Sequence, residues 1–310
     1  MIRYPQDLKP IFSGHETFPL RQLWLRKAYD QVALHGISAP KTVFSADDAI
    51  ERFGVGKNMV AAIRHWGLAC GVITEASAGE YSPGSIGRFL FGEEGADPFL
   101  ERPGSLWLVH WLLAGRAPRS ATWFWVFNFI QNHIFTASHV AESILAYAQD
   151  AGLRLSPTTI RRDVDVCLRC YSTPSERNIT EDLAEPLLVE LGILSQGEGN
   201  TFQFHRGAQY SLPDEIFVYA ILDFWARWRK NSGTSQATLS FNAIAHEYGS
   251  PGRVFKLDED SVADRLSKIE DITRGALKWT DTAGVRQVAL SNDELLEEEN
   301  ILGILVRAYA

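Results

Sequence analysis

The sequence predicts a mainly α fold with short β-hairpins. Apolar residues recur at spacings of three and four, a helix–turn–helix followed by a hairpin occurs near each end, and residues 104–150 form a helical, tryptophan-rich middle. A helix–turn–helix with a hairpin wing is the winged-helix arrangement. We therefore expect winged-helix (helix-turn-helix) units flanking a helical middle. The expected domains are a DNA-binding unit over 1–102, the helical middle over 103–177, and a helical and winged-helix domain over 178–310 with an acidic tail.

The first unit begins with a helix over residues 17–35, for which Thr17 is the expected N-cap. The elements after it are a short helix, a glycine turn, a second helix and two strands: Ala46–Phe53, Gly54–Gly56, Lys57–Gly67, Ala69–Thr74 and Glu80–Ser82. In this order the second helix can enter the major groove of DNA. The same unit also serves as a packing or dimerisation module, and the order of elements does not distinguish these uses.

Four of the nine tryptophans lie within 19 residues of the middle segment: Trp107, Trp111, Trp123 and Trp125. Aromatic side chains of this kind can stack on unpaired bases. Aromatic residues at helical spacing more often form a core, however, and we expect a core here.

The rest of the chain is also predicted to be helical with short strands. The expected helices are Thr158–Tyr171, Glu185–Leu194, Asp214–Arg229, Phe241–Tyr248 and Asp258–Arg274. The expected strands are Thr201–His205, Tyr210–Leu212, Leu277–Thr280 and Val285–Leu290. Residues 172–180 and 230–238 have the composition of linkers.

The net charge of −8, from 30 basic and 38 acidic residues, argues against a uniformly basic protein that wraps nucleic acid. The charge is unevenly distributed. Residues 1–70 hold nine Lys/Arg against six Asp/Glu, whereas residues 291–310 hold five acids against Arg307. The second helix of the last unit, 258–274, is also acidic. We expect DNA contact near the N-terminus and protein contact near the C-terminus.

Composition and motifs exclude several other classes. Three cysteines do not make a disulfide scaffold, and the sequence shows neither a signal peptide nor a membrane span, so we expect a cytoplasmic protein. Cys167 and Cys170 lack the two further ligands of a structural zinc site, and buried free cysteines are expected. The loop at Gly54–Asn58 lacks the spacing of a phosphate-binding loop, so we expect no nucleotide cofactor.

The segment Phe12–Phe18 places a titratable histidine and glutamate together on a glycine-containing turn. His15 is a candidate general base, Glu16 a candidate metal ligand and Arg21 a candidate clamp on a phosphate, with Mg²⁺ or Mn²⁺ as the suspected metal. The alternative is structural: His15 and Glu16 cap a helix and fix a domain contact.

Basic residues on the predicted helices are the candidates for DNA contact: Arg26, Lys27, Lys57, Asn58, Arg64, and a second patch of Arg161 and Arg162. Asp163 lies beside that second patch and is a weak candidate metal ligand. Because Asp163 and Asp165 point in different directions on a helix, ion pairs within the helix are the favoured role for them.

Several blocks of sequence together resemble an uncharacterised-domain family that is found beside PAPS-reductase-like sulfurtransferases. The blocks cover roughly residues 10–230 and include Phe12–Phe18, Gly54–Val60, Asp97–Glu101, Leu106–Trp111, Arg162–Asp165 and Asp223–Trp225. They are similar to the SspB-like DNA-nicking components of the Ssp system of DNA phosphorothioation in prokaryotic antiviral defence.

The resemblance implies an endonuclease that nicks one strand of double-stranded DNA and thereby supports phosphorothioate modification. It also implies partners, namely the cysteine desulfurase, ATPase and sulfurtransferase components of that system. It does not identify catalytic residues. A non-catalytic DNA-binding scaffold is the main alternative, and a regulator that binds only proteins is a third.

Overall fold

The computed structural model describes residues 10–76, 79–172 and 186–309. Its α-helices are α1 (Trp24–Ala33), α2 (Ala49–Phe53), α3 (Lys57–Ala69), α4 (Ser85–Phe91), α5 (Pro103–Ala114), α6 (Ala121–Phe129), α7 (Ala137–Asp150), α8 (Pro157–Arg169), α9 (Asp214–Ser232), α10 (Phe241–His246), α11 (Pro251–Val254), α12 (Glu259–Ser267), α13 (Ile269–Thr273) and α14 (Glu298–Tyr309). Its strands are β1 (Ala39–Pro40), β2 (Ile73–Glu75), β3 (Glu80–Pro83), β4 (Ile134–Thr136), β5 (Leu194–Gln196), β6 (Thr201–Phe204), β7 (Thr238–Ser240), β8 (Leu277–Thr282) and β9 (Val285–Leu290). The prediction of a mainly α protein with short strands is confirmed.

The strands form antiparallel sheets that share one topology. In each three-stranded sheet the last strand lies between the other two, in the orders β1-β3-β2, β4-β6-β5 and β7-β9-β8. Each sheet combines one strand that precedes a set of helices with a hairpin that follows them. The described residues thus contain a first unit (β1, α2, α3, β2, β3), a second unit (β4, α7, α8, β5, β6) and a third unit (β7, α10–α13, β8, β9).

The second unit is not apparent in the sequence. Its first strand, Ile134–Thr136, is three residues long and leads directly into α7. Thr136 ends the strand and also caps the helix, since its side chain accepts a hydrogen bond from the backbone N–H of His139. No glycine or proline turn therefore separates the two elements in the sequence.

The middle helices α5 and α6 lie in the core. Every residue from 104 to 114 is buried, and so is every residue from 121 to 128. A helix that is apolar on all sides needs protein around its whole circumference. The tryptophans of this segment are at most 1% exposed, which confirms that they are core residues: Trp107, Trp111, Trp123 and Trp125.

The first predicted helix starts later than expected. Thr17 is not its N-cap, because α1 begins at Trp24. Glu16, Thr17 and Leu23 have φ values of 49°, 68° and 66°, and a right-handed helix cannot contain such residues. The segment before α1 is therefore an irregular one that packs against the protein.

Other predicted elements also need correction. Residues 210–212 are not a strand, and a short 3₁₀ turn over Val189–Leu191 followed by β5 replaces the helix expected over 185–194. The helix expected over 258–274 is divided into α12 and α13 at Lys268. The expected linker over 172–180 lies, apart from its first residue, outside the described residues, as does the boundary at 177/178.

The acidic tail is folded onto the rest of the chain. The helix α14 packs along α9, and it buries the apolar side chains of Ile301, Ile304 and Leu305. Asp293, just before it, forms an ion pair with Arg229 of α9. Among the described residues, no helix combines the length and the apolar character needed to cross a membrane.

Candidate functional site

A tight turn near the N-terminus places His15 in the protein interior. Gly14 has a φ of 118°, which residues with a Cβ rarely adopt, and a Cβ at this position would lie 2.5 Å from Nδ1 of His65. Glycine therefore allows the turn to pack directly against α3. His15 itself is only 4% exposed.

His15 and Asp163 form a buried pair although 148 positions separate them. The backbone N–H of Thr17 donates to Nδ1 of His15 over 3.2 Å, so the hydrogen-bond network assigns the proton of the neutral ring to Nε2. Nε2 donates to Oδ1 of Asp163, and the Thr122 hydroxyl donates to Oδ2. We call His15, Thr122 and Asp163 the His15 cluster. It joins the N-terminal turn to α6 and α8.

Aromatic rings surround the His15 side chain. Its ring stacks on Trp66 of α3 with 5.9 Å between the centroids, and it meets Trp123 at 6.1 Å and His65 at 5.7 Å. Burial lowers the pKa of His65 to about 3, with a further contribution from His15, so His65 is neutral near pH 7. The cluster is thus a polar contact inside an aromatic core that also touches α3.

Glu16 and Arg21, which were predicted to act with His15, lie in different surroundings. Glu16 is exposed at the surface. Arg21 is half-buried, and its guanidinium carbon lies 5.9 Å from the ring centroid of Phe18 and 5.5 Å from that of Trp24. The three side chains are neighbours in sequence, but His15 points inward while Glu16 faces solvent.

The residues of the first unit that were predicted to contact DNA, which we call the first patch, lie on two helices, α1 and α3. Lys57 and Asn58 are exposed at the start of α3, and Arg64 is half-buried further along the same helix. Arg26 and Lys27 on α1 are half-buried.

These two residues of α1 contact neighbouring backbone. Nζ of Lys27 donates to the carbonyl oxygen of Phe53 over 2.8 Å, and Nη1 of Arg26 donates to that of Pro98 over 3.4 Å. The α3 residues are therefore more available to an outside partner than the α1 residues are.

The second patch lies on α8, which occupies in the second unit the place that α3 occupies in the first. Arg161 and Arg162 are exposed there. Asp163, the next residue, is 2% exposed because it shares the inward face with Ile160 and Cys167, at helical spacing. That spacing is the sequence signal that could have indicated a buried carboxylate. The partners, His15 and Thr122, have no such signal.

The acidic helix α12 of the third unit packs on the same chain, and the short helix α11 lies between it and α10. Arg265 of α12 donates to Oδ1 of Asp214 at 2.5 Å and to the carbonyl oxygen of Leu212 at 2.9 Å. Since its basic side chain is used in this contact, the exposed face of α12 keeps mainly carboxylates. The units thus differ in charge although they share a topology.

Cys167 and Cys170 are buried free thiols, as expected from the sequence. Burial raises the pKa of Cys170 to about 12 and that of Cys167 well above its ordinary value, so both stay protonated. Within residues 10–76, 79–172 and 186–309, no three His, Cys, Asp or Glu side chains are grouped so that they could hold a metal ion.

The fold and these surfaces define a helical protein with repeated strand–helix–hairpin units, two of which expose a basic second helix. The chain belongs to the family described as "Protein of unknown function (DUF4007)", whose model matches residues 12–306. A search of the curated proteins finds no match.

Two solved structures are similar to this chain over nearly its whole length. A magnesium ion-bound SspB crystal structure has a TM-score of 0.86 and 30% sequence identity, with 100% of this chain and 90% of that chain covered. An SspB crystal structure has a TM-score of 0.84 and 32% identity, with coverages of 98% and 89%. The resemblance to SspB-like proteins, inferred from short sequence blocks, is confirmed.

Proposed function

We propose that this protein binds double-stranded DNA and nicks one strand, in support of phosphorothioate modification of the DNA backbone in a prokaryotic defence system. The observation that favours DNA as the ligand is the exposure of basic residues on the second helix of two units with one topology, α3 and α8. The similarity to SspB structures supports the phosphorothioation system as the setting.

The first and second units would then act as winged helices. In such a module the second helix meets the major groove and the hairpin lies beside it. Lys57 and Asn58 stand at the N-terminus of α3, where backbone N–H groups also favour a phosphate. Arg161 and Arg162 would contact the backbone from α8, and Arg64 would add to the first patch. The contacts of Arg26 and Lys27 with backbone carbonyls support a smaller role for them.

A divalent metal remains part of the proposal, with Mg²⁺ or Mn²⁺ as candidates. One of the two similar structures is that of a magnesium ion-bound SspB. Magnesium is often held by one or two carboxylates together with waters and substrate phosphates, so one exposed carboxylate such as Glu16 fits that donor set. Asp163 fits it less well, since its two oxygens already accept from His15 and Thr122. When bound, the ion would stabilise charge on the leaving oxygen.

Three residues in or near the N-terminal turn would have separate roles in nicking the strand. Arg21 would bind a phosphate oxygen, and Glu16 would lie at the reacting phosphodiester. His15 is the candidate base. Because it is buried and donates to Asp163, it would also position the turn. In either role its replacement would reduce nicking.

The proposed partners follow from the same similarity: a cysteine desulfurase, an ATPase and a sulfurtransferase of the Ssp system in the cytoplasm. A nick would give the sulfur-transfer proteins access to one oxygen of the backbone.

A non-catalytic DNA-binding scaffold is the second candidate. It is favoured by one observation: His15, the candidate base, is 4% exposed and paired with Asp163, so it is not open to a DNA strand. Under this alternative the chain would bind DNA and present it to a partner that cuts.

Relaxation of supercoiled plasmid by the purified protein, with Mg²⁺, Mn²⁺ or EDTA, separates these candidates. We expect metal-dependent nicks that are lost in Glu16→Gln and kept in Glu270→Gln, which replaces an exposed glutamate of the third unit. DNA binding without nicks by highly purified protein would favour the scaffold. Equal activity of Glu16→Gln and the control would refute the site assignment.

A further inference from the structure

A charged group that the proposed DNA contacts do not use lies in the wall of a cavity formed largely by α9 and α14. Asp223 is 7% exposed, on a helix whose residues 216–225 are all buried. A carboxylate in such surroundings needs compensating partners. Two arginines supply them: Arg116, just after α5, and Arg227, one turn further along α9.

The carboxylate of Asp223 accepts hydrogen bonds from three side chains. Nη2 of Arg116 donates to Oδ1 at 2.8 Å and Nε of Arg116 to Oδ2 at 3.2 Å. Nε of Arg227 donates to Oδ2 at 3.2 Å, and the indole N–H of Trp111 donates to the same oxygen at 2.9 Å. Although burial alone raises the pKa of Asp223, the two guanidinium groups hold it below its usual value. The one carboxylate of Asp223 therefore pairs with two guanidinium groups.

Only Nε of the Arg227 guanidinium group donates to Asp223. Its Nη2 is buried and, among the described residues, has no hydrogen-bond partner. Buried charged donors are rarely left unpaired, because their lost hydration is not recovered. Arg227 also lines the cavity with a side chain that is 31% exposed, and it shares its carboxylate partner with Arg116. Its guanidinium group is therefore available to an anion in the cavity.

The cavity has the size and lining of a small-molecule site. Its volume is about 640 Å³, within the usual range for such sites. Lys230 and Asn231 add polar groups beside Arg227 on α9, and the wall formed by the C-terminal segment is apolar: Leu296, Ile301 and Leu302. Glu298 also lines the cavity, but its carboxylate accepts from the Ser85 hydroxyl at 2.5 Å.

We propose that this cavity binds a small organic phosphate of the size of a mononucleotide. The three basic side chains in its wall exceed the two carboxylates by one charge, so a phosphate group would be attracted and would find donors on Arg227, Lys230 and Asn231. The apolar part of the ligand would lie against α14. This site departs from the expectation of no nucleotide, which rested on the loop at Gly54–Asn58.

Calorimetric titration of the full chain with inorganic phosphate, deoxyadenosine monophosphate and deoxyadenosine tests the proposal. We expect the monophosphate to bind more tightly than phosphate, because it also covers the apolar wall, and the unphosphorylated nucleoside not to bind. Arg227→Gln should weaken binding of the monophosphate by about tenfold or more, as expected when a charge-assisted hydrogen bond is removed. The matched control is Arg154→Gln, at an exposed arginine outside the cavity, and it should bind as the wild type does.

A second variant covers the case in which Arg227→Gln does not fold. Lys230 is exposed and its replacement leaves the Asp223 network intact, so Lys230→Gln should fold and bind the monophosphate more weakly. Absence of binding to the wild type would overturn the proposal, as would equal binding of nucleoside and nucleotide. Unchanged affinity in Lys230→Gln and in any folded Arg227→Gln would overturn it too. None of these outcomes depends on DNA nicking.

Discussion

Replacing Asp163 with alanine should lower the free energy of unfolding by about 3–5 kcal/mol, the range found when one partner of a buried pair is removed. The change leaves Nε2–H of His15 and the hydroxyl of Thr122 without their acceptor. Each buried donor that loses its partner costs about 1–3 kcal/mol, so the two together give a similar total. Water cannot easily replace the carboxylate, because Asp163 is 2% exposed.

Urea denaturation followed by tryptophan fluorescence measures this effect, since Trp66 and Trp123 lie beside His15. Asp165→Ala is the control: it removes an exposed carboxylate two residues further along α8 and should change stability by no more than about 0.5 kcal/mol. Equal destabilisation of the two variants would refute the role of the His15 cluster.

A double-mutant cycle adds a direct test of the contact between Thr122 and Asp163. Thr122→Val and Asp163→Ala should be non-additive by at least about 0.5 kcal/mol, because both remove the same hydrogen bond. Strict additivity of the two effects would contradict the shared hydrogen bond.

Two further predictions concern DNA and pH. Lys57→Ala with Arg64→Ala should weaken duplex binding and reduce the salt slope by about one for each phosphate that is no longer neutralised; an unchanged slope would place the DNA surface elsewhere. His65, with its pKa lowered from 6.5 to about 3, binds its proton more readily in the unfolded chain, so its contribution to stability is complete above pH 6.5 and declines toward pH 3. His65→Gln should therefore reduce the slope of unfolding free energy against pH by up to about 1.4 kcal/mol per pH unit between pH 3 and 6.5. Equal slopes in the variant and the wild type would exclude His65 as the titrating group.

Local patterns in the sequence predicted much of the secondary structure. The helix over 158–171 agrees with α8 to within two residues at each end, and the hairpin around Asp281–Gly284 is β8 and β9. Both have strong local signals, namely an amphipathic spacing after Ser156-Pro157 and two apolar strands around a glycine turn. The prediction failed at Thr17, because Glu16, Thr17 and Leu23 have left-handed backbone and the carbonyl oxygen of Thr17 accepts a hydrogen bond from Arg169 of α8.

The candidate site was only partly predictable. The sequence identified His15, Glu16 and the basic residues of α3 and α8 as unusual, and it placed Lys57 and Asn58 correctly at the start of a helix. It did not pair His15 with Asp163, because those residues are 148 positions apart and the helix pattern alone says nothing about a partner from another element.

Most of the helices, the hairpins of the first and third units, the aromatic core and the SspB-like resemblance were predictable from the sequence, since each depends on the order and spacing of nearby residues. Three features appear only in the folded protein: a second unit between the two expected ones, the burial of His15 beside Asp163, and the sharing of Asp223 by Arg116 and Arg227. These are contacts between residues far apart in the chain. Their geometry is set by packing of whole helices, which no local pattern of residue types specifies.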